Sequence, residues 1–276
     1  MDFNHDTYMN KEVIAFICNM TEPISEEEYA HFKAIFESLD AIERITNTSM
    51  FVIDFVKNKL IYRTKELIFT DEATQDDIKR ECPNPYWALI HEEDLQLLLE
   101  TKAAYLEFVK KLNPTQKLSY TYVIDYKISL HKRDHMITQK FTPLKLQPNG
   151  ELWLGLFCIT SSTNHNSKHI AIFGDNFRYT YNFEHNKFLP FDENMKLNQM
   201  EKAILLRAAK GFTTKQIAHD LCRSANTIKT HKARIFNKLH VSSINEAMTF
   251  IYNYRLFKSK SIWTPKRRLP SLRQTL

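Results

Sequence analysis

Between residues 197 and 247, apolar side chains recur at helical spacing in three blocks, and a capping residue or a helix breaker bounds each block. This pattern predicts three consecutive helices that end at about residues 210, 221 and 239. The side chains predicted to cap them are Asn198, then Thr213 or Thr214, then Ser224. Gly211 follows the first helix, at a place where a left-handed glycine commonly ends a helix.

The third predicted helix begins at Ala225 and has two chemically different faces. Its apolar residues Ile228, Ile235 and Leu239 share one side, which predicts that they pack against the two preceding helices. The opposite side carries Lys229, Thr230, Ala233 and Asn237 at helical spacing. Two helices joined by a three- or four-residue turn, the second with an exposed basic face, form a helix-turn-helix. That motif places its second helix in the DNA major groove.

Two kinds of side chain in this segment are suited to DNA. Lysine and threonine on the exposed face can reach base edges, and a small alanine allows close approach or contact with a thymine methyl. Basic side chains and a hydroxyl around that face are better placed to hold phosphates. The residues predicted to contact DNA are Thr213, Lys215, Thr227, Lys229, Thr230, Lys232, Ala233, Arg234, Asn237 and Lys238. For Lys229 the alternative is a solvated helix face, and for His231 a packed, hydrogen-bonded residue is favoured over a DNA contact.

A family pattern matches many fixed positions of this segment without a gap. The matching residues are Leu197, Glu201, Leu205, Gly211, Thr213, Lys215, Ile217, Ala218, Leu221, Ser224, Thr227, Lys229, His231, Ile235, Lys238, Leu239, Val241 and Ala247. With these residues the segment resembles the LuxR-type, or GerE-type, DNA-binding domain of bacterial transcription regulators. Three residues depart from the pattern: Met200 replaces an arginine, Thr214 replaces an asparagine, and Ala233 stands where some members place a base-reading lysine. The resemblance implies sequence-specific DNA binding, but the base preference does not carry over directly.

A fourth helix is predicted at about residues 243–256. One of its sides carries Ile244, Ala247, Met248, Ile251 and either Tyr254 or Arg255. Helices at this place in LuxR-type domains pair two subunits, so the resemblance implies a homodimer on two half-sites about one helical turn apart. The alternative is that the helix only completes the core of its own domain.

The charge of the chain is divided unevenly. Residues 195–257 contain eleven basic and three acidic side chains, a net charge of +8, and residues 258–276 add six basic side chains. Because the whole chain carries +6, residues 1–194 carry −8. A basic C-terminal module is typical of phosphate binding. The basic tail itself is expected to be solvated, with additional DNA contact as the alternative.

Composition excludes several other kinds of site. Four glycines, at positions 150, 155, 174 and 211, cannot build a nucleotide-binding glycine loop. No apolar run approaches the roughly 20 residues of a membrane span, and the first residues do not resemble a signal peptide, so we expect a cytoplasmic protein without membrane contact. The scattered cysteines 18, 82, 158 and 222 are expected to be buried free thiols.

The region upstream of residue 195 mixes helical and strand patterns. Helices are predicted at 10–20, 26–46 and 92–112, the last ended by Asn113-Pro114, with a further helical and irregular stretch before residue 90. The predicted strands are 49–55, 59–64, 117–131, 134–146 and 151–161. A hairpin follows at 177–191, which could dock on this region, extend its sheet or act as a stiff connector. The order of elements is an α+β pattern.

That order, together with W-x-x-I-H-E-E-D at Trp87, Ile90 and residues 91–94, resembles a PAS sensor domain over about residues 45–162. Cofactor patterns are weak there. Cys82 does not match a flavin photosensor segment, and for His91 local capping or turn geometry is favoured over haem ligation. Two histidine pairs, 131 with 135 and 165 with 169, show no third metal ligand. We therefore expect no cofactor and no metal, with a small-molecule or protein signal as the input of the sensor.

These patterns together predict an α+β PAS-like sensor followed by an all-α helix-turn-helix domain of four helices. The predicted limits are 1–45 for N-terminal helices, 46–165 for the sensor, 166–194 for a hairpin connector, 195–257 for the DNA-binding domain and 258–276 for the tail. The function that fits is DNA-dependent transcription regulation without enzymatic activity. One rival is a small-molecule-binding or enzymatic domain whose C-terminal helices only contact protein, and another is a PAS adaptor that dimerises without DNA. Salt-dependent binding to duplex DNA separates the three.

Overall fold

The structure is a computed structural model that divides the chain into two compact units, Met1–Met195 and Lys196–Leu276. It describes residues 25–46, 48–65, 84, 86, 89–130, 133–162, 169–175, 177–191, 197–239 and 241–253. The predicted helix at 10–20, most of the stretch before residue 90, the polar loop after residue 162 and the basic tail lie outside the described residues.

The N-terminal unit is built on one antiparallel sheet of eight strands. The strands are β1 (Ser49–Asp54), β2 (Lys59–Arg63), β3 (Thr121–Leu130), β4 (Arg133–Leu146), β5 (Leu152–Ser161), β6 (Ile170–Phe173), β7 (Arg178–Asn182) and β8 (Lys187–Pro190). Their spatial order is β2-β1-β5-β4-β3-β6-β7-β8. Tight turns join several neighbours, and left-handed residues lie at Asn58, Gly150 and Asn186 within them. Because helices accompany this antiparallel sheet, the predicted α+β class is confirmed.

One face of the sheet is covered by helix α1 (Glu26–Thr46). Its apolar stripe places Phe32 and Leu39 against Met50 and Trp153, all of them buried. The rings of Phe32 and Trp153 meet edge to face with centroids 5.4 Å apart. Burial of each large apolar side chain contributes about 1.5–3 kcal/mol, so this contact holds α1 on the sheet. The helix predicted at 26–46 is confirmed.

The other face carries the larger core, on which helix α2 (Glu92–Lys110) packs. Aromatic side chains fill this core, and Phe51 and Phe157 stack with centroids 4.8 Å apart. Gly155 allows the packing, because a Cβ atom there would lie 2.8 Å from Cε2 of Phe55 and would also overlap Phe141. The three closing strands predicted from sequence are present in this sheet.

Two details of the sequence prediction are corrected by local hydrogen bonding. A short helix, α3 (Pro114–Ser119), occupies residues that were predicted to open a strand at 117, and β3 begins only at Thr121. Asn113 caps α3 by accepting from the Gln116 backbone N–H, while the Gln116 side chain accepts from the Asn113 N–H. Asn113-Pro114 therefore ends one helix and starts another, because proline is well tolerated in a first helical turn.

The hairpin whose partner the sequence left open extends the sheet. Its strands β7 and β8 pair with each other, and β7 also pairs with β6. Strand β6, which the sequence analysis did not predict, pairs with β3 and joins the hairpin to the rest of the sheet. All four residues of β6 are buried, so its pattern lacks the alternation that marks half-buried strands.

Among the residues that the structure describes, no helix is long and apolar enough to cross a membrane.

Candidate nucleic-acid interface

Four helices form the described part of the C-terminal unit. They are α4 (Gln199–Ala209), α5 (Thr214–Asp220), α6 (Ala225–Leu239) and α7 (Ile244–Asn253). Asn198 caps α4 through a reciprocal capping box with Glu201, and Thr213 caps α5 through one with Gln216. The three consecutive helices predicted from sequence are confirmed, and Thr213 rather than Thr214 is the second cap.

Left-handed residues form both turns of the three-helix segment. Gly211 has a φ of 83° after α4, as the sequence predicts for a glycine terminator. Cys222 has a φ of 52° between α5 and α6, a conformation that costs a residue with a Cβ atom about 1–2 kcal/mol. Cys222 is exposed and Cys158 is half-buried, so the expectation of buried cysteines is wrong for Cys222 and only partly met by Cys158.

The buried face of α6 fixes its orientation within the unit. Ile228, Ile235 and Leu239 are fully buried, as are Leu205 and Ile217 on the two preceding helices. This is the packing that the apolar spacing predicts. The opposite side of α6 is therefore turned outward.

The polar face of α6 is open to solvent. Lys229, Thr230, Ala233 and Asn237 are all exposed, as the sequence predicts. Arg234 on the same helix is exposed too, and so are Thr213 and Lys215 at the start of α5. The structure thus presents seven of the ten predicted contact residues to solvent, while Thr227, Lys232 and Lys238 are half-buried.

The half-buried members of the predicted set make hydrogen bonds within the unit. The hydroxyl of Thr227 lies 2.9 Å from that of Ser224, which caps α6 by accepting from the Thr227 N–H. Lys232 Nζ donates to Thr214 Oγ1 at 3.3 Å, which links α6 to α5. These contacts give Thr227 and Lys232 structural roles beside any contact with DNA.

Lys238 has the strongest internal partner of the set. Its Nζ donates to Glu201 Oε2 at 2.9 Å, and the Glu201 side chain is only 3% exposed. The same Oε2 atom accepts from the backbone N–H of Asn198 at 2.8 Å. Sequence reasoning missed this pairing, because the two residues are 37 positions apart and each has its own place in the family pattern.

His231 lies at the edge of the buried face of α6 and is half-buried. Its Nδ1 atom is buried and finds no hydrogen-bond partner in the described part of the chain. His231 is therefore packed, as the favoured interpretation expects, but no hydrogen bond of its ring is found among the described contacts.

Most of the predicted pairing face of α7 is used inside its own domain. Ala247 and Ile251 are buried together with Phe250. The outward side instead presents Asn245 and Tyr252, the latter 77% exposed. The predicted stripe thus completes the domain core, and a dimer through α7 would need the outward side.

The described part of the N-terminal unit includes most of the H-E-E-D segment that the sequence analysis singled out. His91 occupies the N-cap position of α2 without a side-chain cap, and its backbone N–H donates to the Lys127 carbonyl at 3.0 Å. Asp94, three residues later, accepts from the Lys127 N–H at 2.7 Å and is buried. The H-E-E-D segment therefore ties the start of α2 to β3. Among the described residues, no group of three or more His, Cys, Asp or Glu side chains could hold a metal ion.

Comparison with known sequences identifies the C-terminal unit. Residues 195–251 match the family described as bacterial regulatory proteins, luxR family. The Fimbriae Z protein of Salmonella typhimurium (strain LT2) is 38% identical over 63 residues, which are 23% of this chain and 30% of that protein. The match therefore spans less than a third of the length of this relative.

Two solved structures show some likeness to this chain. The phage VqmA–DPO complex is 18% identical with a TM-score of 0.32, and covers 88% of this chain and 97% of that one. The PAS domain of Bordetella pertussis BvgS is 15% identical with a TM-score of 0.24, and covers 47% of this chain and 88% of that one. Both TM-scores are low, so the fold of the N-terminal unit rests on its own sheet and helices. The family match and the four helices agree on the other unit: residues 195–251 form a helix-turn-helix domain of the luxR family.

Proposed function

We propose that this protein is a sequence-specific DNA-binding transcription regulator that inserts α6 into the major groove. The observation that carries the proposal is the exposed polar face of α6 within a luxR-type domain. The surrounding charge supports it, because residues 195–257 have a net charge of +8 and DNA presents a dense line of phosphates. The matched family is described as regulatory proteins, so we propose a regulatory role rather than an enzymatic one.

The proposed contacts divide into two groups. Lys229, Thr230, Ala233 and Asn237 face the bases from the exposed side of α6. The phosphates are held by exposed groups at the borders, led by Thr213, Lys215 and Arg234. Thr227, Lys232 and Lys238 belong to the predicted set as well, and the last two would have to exchange an internal partner for a phosphate.

We further propose that the protein is cytoplasmic, that it binds DNA as a homodimer and that the N-terminal unit is its sensor. The outward side of α7, with exposed Asn245 and Tyr252 and half-buried Met248 between them, is the surface proposed for pairing. The N-terminal unit is a separate compact body with the PAS-like order of elements, which supports a sensory role. A signal acts there only if it binds one state of the protein better than another.

The function is tested by measuring how salt affects DNA binding of the full-length protein. Neutralisation of Z phosphates gives a slope of about −0.9Z in log K against log salt, so about five contacts cost more than tenfold in affinity between 50 and 200 mM salt. Double substitution of exposed Lys215 and Arg234 by alanine should reduce the slope by about two units. A matched control replaces Lys59 and Lys187, exposed basic residues of the other unit, and should leave the slope unchanged.

DNA binding that does not depend on salt, or a complete lack of DNA binding at low salt, would favour the rival adaptor whose C-terminal helices do not contact DNA.

The sensory role needs its own comparison. Full-length protein and a fragment that starts at Met195 are measured on one operator at matched salt, with and without cell extract as a source of ligand. If the full-length protein and the fragment show identical affinity, stoichiometry and footprint, the N-terminal unit has no sensory effect on DNA binding.

A further inference from the structure

The outermost line of α6 begins at Asn226, about one turn before Thr230. At about 100° per residue, the directions of Ile228, Ile235 and Leu239 define the buried side. The residues that lie within about 40° of the opposite direction are Asn226, Thr230, Ala233 and Asn237, all of them exposed. Lys229 lies about 100° from the buried direction, at the border of this line. Asn226 therefore occupies the N-terminal end of the surface that would face the groove.

The side chain of Asn226 does not cap α6. Ser224, not Asn226, caps the helix by accepting from the Thr227 N–H at 3.0 Å. The Asn226 carbonyl oxygen accepts from the hydroxyl of Thr230 at 3.1 Å, which uses the donor of that threonine inside the helix. Within the described residues the side-chain amide of Asn226 makes no hydrogen bond, so both its NH₂ and its oxygen are available to a ligand.

The hydrogen-bonding groups of an asparagine side chain match one base in the major groove. An asparagine amide offers a donor and an acceptor side by side, which match the N7 acceptor and N6–H₂ donor of adenine in the major groove. Guanine presents two acceptors there and would face the amide oxygen with one of them. The N-terminal residues of a recognition helix are the ones that contact base edges, which favours Asn226 over Asn237 near the other end.

From this geometry, and resting on the function proposed above, we infer that Asn226 is a specificity-determining residue that reads an adenine in each half-site by a bidentate hydrogen bond. Ala233 follows seven residues later, about 10 Å along the helix axis. That distance corresponds to about three base-pair steps, so the adenine lies at one end of the contacted bases.

A selection experiment tests the inference. Full-length protein selects duplexes from a random library, and sequencing gives the preferred base at each position. Asn226→Ala should lose the preference for adenine at one position, by about 5- to 100-fold, while the other positions keep theirs. Gln199→Ala is the matched control, because it removes an exposed amide of the same domain that lies outside the proposed contact set, and it should retain the adenine preference.

A second arm changes the DNA instead of the protein. 7-Deazaadenine, which lacks the N7 acceptor, replaces the selected adenine in a fixed operator. Wild-type affinity should fall about fivefold or more, whereas Asn226→Ala should bind both operators equally within about twofold. Wild-type affinity that is unchanged by 7-deazaadenine would by itself overturn the inference, so this arm remains a test even if the variant were unstable.

Three further outcomes overturn the inference. An unchanged adenine preference in Asn226→Ala, or equal losses from 7-deazaadenine in both proteins, would remove the role of Asn226 while leaving DNA binding intact. A wild-type protein that selects no sequence and shows no salt-dependent binding would remove both this inference and the proposed function. Loss of the preference in the variant together with its insensitivity to 7-deazaadenine supports the direct contact.

Discussion

Lys238 Nζ lies 2.9 Å from Glu201 Oε2, and this ion pair joins the last turn of α6 to the first turn of α4. The same carboxylate oxygen accepts the backbone N–H of Asn198, so one buried group serves both the helix cap and the tertiary contact. Lys238 therefore helps to hold the helix that carries the proposed base-reading face. In the proposed function, Lys238 would affect DNA binding through the position of α6 as well as through any phosphate contact.

We expect Lys238→Ala to lower the free energy of unfolding of the C-terminal unit by about 1–3 kcal/mol. The substitution leaves the carboxylate of Glu201 buried with one partner fewer, and an uncompensated buried charge is costly. Thermal unfolding followed by circular dichroism measures the effect. Arg234→Ala, which removes an exposed basic residue of the same helix, should change stability by less than about 0.5 kcal/mol. Equal effects of the two substitutions would contradict a positioning role.

Lys229→Ala and Thr230→Ala should change the sequence preference of the protein. A good base contact contributes about 1–3 kcal/mol of discrimination, so the preferred operator should lose about 5- to 100-fold in affinity relative to a scrambled duplex. Competition binding at fixed salt checks this. Lys215→Ala serves as the comparison, because a phosphate contact should weaken all sequences about equally. The groove assignment is wrong if all three variants weaken all duplexes to the same extent.

Cys222→Gly should stabilise the C-terminal unit by about 0.5–1 kcal/mol. The residue has a φ of 52°, and a glycine adopts that conformation without the steric cost of a Cβ atom. Gly211→Ala is the converse test, because Gly211 has a φ of 83° and a Cβ atom there would meet nothing within 4 Å. Backbone strain alone should then lower stability by about 1 kcal/mol. Unfolding midpoints that move in the same direction for both variants would argue against this account.

The two described cysteines should differ in their reaction with iodoacetamide. Burial raises the pKa of the Cys158 thiol to about 11, with a small opposing effect of the Lys140 charge. Because only the thiolate reacts, Cys158 should stay largely unmodified between pH 7 and 9, while exposed Cys222 is alkylated first. Mass spectrometry of digested protein distinguishes the sites, and the denatured protein provides the fully accessible control. Alkylation of Cys158 in the native protein as fast as that of Cys222 would show that its burial is wrong.

Tyr252→Glu should weaken pairing on DNA without destabilising the domain. Tyr252 is 77% exposed on the outward side of α7, so its replacement leaves the buried residues Phe250 and Ile251 in place. Analytical ultracentrifugation of the protein–DNA complex should show a shift from two subunits to one per operator. Ala247→Glu is the contrasting substitution, because Ala247 is fully buried and a charge there should unfold the domain. Unchanged stoichiometry with Tyr252→Glu would place the dimer contact elsewhere.

The short-range pattern of the chain by itself determined the helices of the C-terminal unit. Asn198, Thr213 and Ser224 each satisfy a backbone N–H at the start of the helix that follows, and Gly211 ends the first of these helices through its left-handed backbone. Such signals act over three or four residues, so they can be recognised without knowledge of the fold. The spacing of apolar residues likewise indicated which face of α6 is buried.

Tertiary packing alone decided what these elements contact. The pairing of Lys238 with Glu201 spans 37 residues, and the burial of Ala247 depends on which side of α7 the other helices meet. Strand β6 became part of the sheet only through its ladder with β3, since four buried residues show no alternation in the sequence. In each case the stabilising free energy of the contact comes from groups that are far apart in the chain. The sequence could therefore indicate the exposed face proposed to read DNA, but not which of its polar groups remain free to do so.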